Sequence, residues 1–254
     1  VQGMGGLMSV TGLPGQGPVR VGIAIADLTA GNLLAYAIAI SLFDRTRTGV
    51  GRWVHTSLLE ATIFMLDFQA SRWLMRGEVA KQAGNDHPTG TPTGVFPTSD
   101  GHINIAAAGE RVWLRFCDAI GRPEWKEKAE WNTRQKRTQV RKEVNDAISE
   151  ITRHKPSAHW VELMEEAGVP CGPIYTIDQT FADPQVRHLG IATPMPRPGK
   201  DPVNVVSSPI NAHDVPRGVR RHTPDRGEHT DEILREYGYS DAQLKEMRAN
   251  GVIA

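Results

Sequence analysis

The sequence predicts an α/β protein with a larger α/β part and a smaller α+β unit. Three observations predict this: apolar strand-like and helix-like stretches alternate over residues 19–75, a Pro/Gly-rich interruption fills 76–98, and a strand pattern followed by amphipathic helices comes after it. A chain of 254 residues suffices for one large domain or two modest ones.

Residues 19–26 (VRVGIAIA) are short, apolar and rich in β-branched side chains, as a strand covered on both faces would be. Asp27 ends that run. From Leu28 onward, Leu33, Leu34, Ala37, Ile38, Ser41 and Leu42 give a helix with a broad apolar stripe, with Arg45 and Arg47 suited to its C-terminal dipole and Gly49 to its stop. Residues 52–75 then read as a short strand and a second, largely buried helix. The linker at 76–98 carries four glycines and three prolines, and little periodic pattern. Beyond the turn at residues 99–101, the alternation of Ile103, Ile105 and Ala107 predicts a strand, and the run from Val112 to Ile120 a helix. Val140, Val144, Ile148 and Ile151 mark an amphipathic helix in a highly charged stretch, and Trp160, Leu163 and Met164 another that Gly168 closes. Two β-like pieces surround Ile191 and residues 203–206, and helices follow at about 230–237 and 241–250.

Composition removes several function classes. Lys plus Arg and Asp plus Glu both number 29, so no basic field is available to hold nucleic acid. At 39% apolar and 23% charged, the chain is neither disordered nor fibrous. Cys117 and Cys171 form no CxxC and offer no metal or disulfide framework, which fits a reducing cytoplasm. The chain opens at Val1 without a signal-peptide pattern, and Met4 and Met8 lie inside an expected structural segment, so a fragment of a longer protein is expected. Residues 21–43 are the one membrane candidate. An aspartate within a spanning helix costs about 2.5–3.5 kcal/mol at its centre, and the run parses better as two elements divided at Asp27, so no membrane partner is expected.

Asp27 is the most informative residue. A carboxylate where a buried strand gives way to a helix lies at the carboxyl edge of a sheet, where α/β folds bind ligands. Aspartate is equally a favoured helix N-cap, and the local pattern leaves both roles open.

Collinear motifs go further. Residues 2–12 (QGMGGLMSVTG), 18–31 (PVRVGIAIADLTAG), 45–51 (RTRTGVG) and 57–61 (SLLEA) open the series. Residues 84–88 (GNDHP), 95–101 (VFPTSDG), 167–173 (AGVPCGP), 182–186 (ADPQV) and 227–232 (GEHTDE) continue it. Together they resemble the class III CoA-transferases, such as formyl-CoA and carnitine CoA-transferases, over nearly the whole chain. The resemblance implies a partial Rossmann-like large domain at residues 1–75, an active-site loop within 76–98, a small α+β domain at 99–185 and a return segment at 186–254. It also implies an interlocked homodimer, acyl-CoA and a carboxylic acid as substrates, and no tightly bound cofactor or metal.

By the same resemblance, Asp27 matches the catalytic aspartate, whose desolvated carboxylate attacks the thioester. The loop that closes over it falls at His87, Pro88, Thr89, Gly90, Thr91 and Pro92, with His87, Thr89, Gly90 and Thr91 as candidate binding residues. With one glycine and two prolines it departs from the glycine-run form, and an inert linker is the competing reading. The turn at 49–55 also departs, with Arg52 and His55 where the family commonly has glutamine and aspartate.

Other candidates have plainer explanations. The glycines from Gly3 to Gly12 contain no GK[ST] and serve a tight turn as well as a ligand contact. Arg20 fits the surface. Arg45, Arg47 and Arg52 form a patch suited to CoA phosphates or, for the first two, to a helix end. Cys171 lacks a neighbouring histidine, residues 228–232 lack paired histidines at helical spacing, and the tryptophans suit packing. Two alternatives to a CoA-transferase stand: a 2-methylacyl-CoA racemase using the same aspartate as acid/base, and an inactive fragment serving only folding or dimerisation.

Overall fold

The computed structural model describes all residues except Pro216, Arg217, Arg220 and Ala254. It is a mixed helix and sheet structure that divides into two compact units, Val1–Ile174 and Tyr175–Ala254.

The first unit begins with a single helical turn, α1 (Leu7–Val10), and the long helix α2 (Ile25–Thr48). The expected end of α2 is present: Gly49 takes the left-handed conformation at φ 73° and its N–H donates to Arg45 O at 2.8 Å. Its start differs from expectation. Ile25 and Ala26, predicted as strand, are the first helical residues, and residues 19–24 are irregular. A strand exists only through its ladder partner. Here the Val21 N–H donates instead to Gln2 Oε1 at 3.0 Å. Among the described residues of 1–92 there is no strand, so neither strand expected before residue 75 forms within this chain.

The second predicted helix is two, α3 (Leu58–Phe64) and α4 (Phe68–Arg76). Ser57 caps α3, accepting from the Glu60 N–H, and the break falls at Asp67, whose φ of 50° and ψ of −127° are costly for a residue with a Cβ. Helix α2 packs against α3. It buries Ala26 and Ala30 and leaves Leu28, Tyr36, Ile40 and Phe43 exposed. By length and composition α2 could cross a membrane.

The core lies further along this unit. Strands β1 (Thr93–Pro97), β2 (His102–Ala106) and β3 (Cys171–Pro173) form an antiparallel sheet in that order, with Phe96 opposite Ile103 and Ile105 opposite Cys171. Alternation along β2 turns Ile103 and Ile105 inward, as predicted. Helix α5 (Glu110–Ala119) adds Trp113, Phe116 and Cys117, and a 3-10 turn (Pro123–Lys126) follows. Helices α6 (Arg134–Gln139), α7 (Arg141–Thr152) and α8 (Ser157–Glu166) complete the unit, α7 burying Val144 and Ile148 and α8 Trp160 and Met164.

In the second unit, α9 (Ile177–Ala182) and α10 (Pro184–His188) precede the hairpin β4 (Ala192–Arg197) and β5 (Lys200–Val206). Helices α11 (Thr230–Glu236) and α12 (Asp241–Ala249) close it, α12 opened by a Ser240/Gln243 capping box.

Candidate active site

Asp27 occupies the third helical position of α2, and the N-cap is Ala24, which has no side-chain cap. Capping therefore does not explain the aspartate. No hydrogen bond or ion pair holds its carboxylate among the described residues, and the residue is exposed. The helix dipole favours the anion there. The sequence expectation was a dry carboxylate, and within this chain alone it faces open water. The Gln2 amide holds the approach to α2, donating to Ile23 O at 3.5 Å as well as accepting from Val21.

Among the glycines near the N-terminus, Gly5 has a packing role. A Cβ on Gly5 would meet Thr62 Cγ2 of α3 at 2.6 Å. Thr11 O and Gly17 O both accept from Gln82 Nε2 at 2.6 Å, which fastens this turn to the linker.

The loop from His87 to Thr91 is tightly organised. The His87 ring stacks on Phe68 at 5.7 Å, so it is not a merely solvated histidine. Its Nδ1 accepts from the Thr89 N–H at 3.2 Å, and the Gly90 N–H donates to His87 O at 3.4 Å. A Cβ on Gly90 would meet Ala108 Cβ at 3.1 Å. Thr91 is buried. The Thr89 and Gly90 N–H groups, on two of the candidate binding residues, thus both point to His87 in this conformation. His87 borders a cleft of about 460 Å³ that Asp67, Phe68, Asn85, Asp86 and Asn104 also line. Asp27 does not line it, and among the described residues no hydrogen bond or ring contact joins the loop to α2.

A residue the sequence did not single out holds this region. Arg137 is fully buried; its Nε donates to Thr91 O at 3.1 Å, its Nη1 to Trp131 O at 2.8 Å and its Nη2 to Ala108 O at 2.9 Å. Glu110 Oε2 lies 3.3 Å from the guanidinium, and the Trp113 ring covers it at 4.6 Å. Burial pushes Arg137 below the usual arginine range, and Glu110 opposes the shift. Nearby, burial raises the Asp86 carboxyl, opposed by Arg141 and by the Asn145 amide, which donates to Asp86 Oδ1 at 2.9 Å.

The remaining candidates are accounted for locally. Arg52 pairs with Asp44 at 2.6 Å, whereas Arg45 and Arg47 are exposed at the end of α2. Arg20 is exposed. Glu228 pairs with His222, and Glu232 with His229. Trp113, Trp125 and Trp131 form one aromatic cluster, while Trp53 is 91% exposed. Burial pushes the Cys117 thiol up to about 12 and the Cys171 thiol up to about 11. We expect iodoacetamide at about pH 7.5 to alkylate both at least ~100-fold more slowly in the native protein than in denaturant. Comparable rates, read by mass, would show that one is a reactive thiol.

A model of CoA-transferase family III matches residues 1–230. The chain belongs to this family. It is 32% identical to human succinyl-CoA:glutarate CoA-transferase over 250 residues, 98% of this chain and 57% of that protein. It is 30% identical to formyl-CoA:oxalate CoA-transferase of Rhodopseudomonas palustris, covering 98% of this chain and 64% of that protein. A CAIB/BAIF family protein from Brucella suis superposes with a TM-score of 0.78 at 30% identity, over 92% of this chain and 61% of that one. The chain therefore spans less than two thirds of the length of these relatives.

Proposed function

We propose that this protein transfers CoA from an acyl-CoA to a carboxylic acid, with Asp27 as the covalent nucleophile. What carries the proposal is a carboxylate in the first turn of α2 that does not cap the helix and pairs with no cation among the described residues, inside a family of CoA-transferases. An Asp27 oxygen attacks the thioester carbonyl carbon; the C–S bond breaks, and CoA leaves as thiolate with its electron pair. The thiolate then attacks the Asp27 carbonyl of the mixed anhydride and expels the first carboxylate, leaving an enzyme–CoA thioester. An acceptor carboxylate reverses both steps and restores Asp27. No metal, ATP or net proton is consumed.

Because the single chain leaves Asp27 exposed, we place its desolvation in the bound acyl-CoA and in a second copy of the protein. The exposed apolar face of α2 and the segment before it, which joins no strand ladder, suit an interlocked homodimer with a Rossmann-like large domain. On this proposal α2 is a covered core helix of a cytoplasmic enzyme and not a membrane span. The relatives point to short dicarboxylic acids, so the natural protein is offered succinyl-CoA and isotopically labelled glutarate. Formation of labelled glutaryl-CoA supports transfer. Deuterium washed into the α-position of a 2-methylacyl-CoA, without transfer, would make it a racemase; neither reaction would leave a folding or dimerisation role.

A further inference from the structure

One face of α6 and α7 presents Arg134, Arg137, Arg141 and Asn145 at helical spacings of three and four, and each touches the segment 86–91. Arg134 Nη2 donates to Thr89 O at 3.2 Å, Arg137 Nε to Thr91 O at 3.1 Å and Arg141 Nη2 to Pro88 O at 2.9 Å. Asn145 reaches Asp86 one turn further on.

Three cations on three carbonyls of one short loop are far more than a surface connection needs. The peptide unit is planar and trans, so fixing a carbonyl also fixes the direction of the following N–H. Holding Pro88 O and Thr89 O therefore aims the Thr89 and Gly90 N–H groups away from α6 and α7, toward His87, where both are found. Arg137 is the anchor, because its burial and its other acceptors leave it no freedom.

We infer that Arg134 and Arg141, set by the buried Arg137, are positioning residues that clamp the carbonyl edge of the 87–91 loop, so that the loop meets the substrate already ordered. For its kinetic consequence only, this rests on the proposed CoA transfer and on the loop closing over Asp27, as the family resemblance implies. The clamp supplies by side chain the order that a loop with one glycine and two prolines does not need to gain by swinging.

The test uses the natural protein with Arg134→Ala, Arg141→Ala and the double variant, all of which keep the buried anchor. Amide hydrogen exchange of residues 87–94 is read beside exchange of β2 as an internal control. The double variant should speed loop exchange at least ~10-fold with β2 unchanged. With succinyl-CoA and glutarate, kcat should fall ~10- to 100-fold while KM for succinyl-CoA stays within ~3-fold. Arg141→Lys, which keeps one donor for Pro88 O, should restore protection to within ~3-fold of wild type. Unchanged loop exchange in the double variant overturns the clamp. Faster exchange with unchanged kcat overturns the positioning role. A wild-type protein that transfers no CoA defeats the functional proposal, and loop exchange then decides the clamp by itself.

Discussion

Replacing Asp27 by alanine is expected to lower CoA transfer by at least ~10⁴-fold, the scale on which removal of a covalent nucleophile acts. Stability should change by less than about 1 kcal/mol, because the side chain does not cap the helix, has no partner among the described residues, and loses only a helix-dipole interaction. That separation makes the variant informative. Asp27→Glu keeps the carboxylate but displaces it by about one methylene, and should cost ~100-fold in kcat. Initial rates of glutaryl-CoA formation and urea melts check both. An Asp27→Ala protein that retains most of its turnover would remove the nucleophile from the mechanism.

Arg137→Met is expected to destabilise the first unit by about 3 to 5 kcal/mol, the scale of leaving three buried acceptors without a donor at roughly 1–3 kcal/mol each after partial relaxation. The cost arises mainly on the acceptor side: Thr91 O, Trp131 O and Ala108 O lose their donor at once. Glu110, half-exposed, can rehydrate. Arg137→Lys should recover less than about half of the loss, since one ammonium cannot reach three carbonyls in a fork. Urea unfolding followed by tryptophan fluorescence reads this directly, because Trp113 covers the guanidinium. A loss below about 1 kcal/mol would mean that water replaces the guanidinium and that the loop is not held through it.

What the sequence disclosed follows from where each signal resides. Apolar alternation in β2, helical spacing in α5, α7 and α8, and the glycine ending α2 are local patterns with local causes, and they appear where expected. The strands expected at 19–26 and near 52 depend on partners elsewhere in sequence or in another chain, and apolar β-branched residues do not create a ladder by themselves. The break at Asp67 had no glycine or proline to announce it. It starts α4 at Phe68, the residue that stacks on His87.

At the candidate site, motif order is what nominates Asp27 and the 87–91 loop. The exposure of Asp27 was not legible in it, because periodicity reports a face and not what covers it. Arg137 was hidden for a related reason. In a stretch dense with Lys, Arg and Glu it reads as one more solvated charge, and only tertiary structure shows that it is buried between Trp113 and three carbonyls. Its spacing from Arg134 and Arg141 was visible, but spacing alone does not separate a clamp from a charged helix face.

The most direct test of covalent transfer is peptide mapping of the natural protein, quenched with acid during turnover with succinyl-CoA. A CoA adduct on the peptide containing Asp27, released by hydroxylamine and missing from Asp27→Ala, is the result expected. CoA bound to another residue, or steady transfer with no adduct at any quench time, would contradict the role of Asp27.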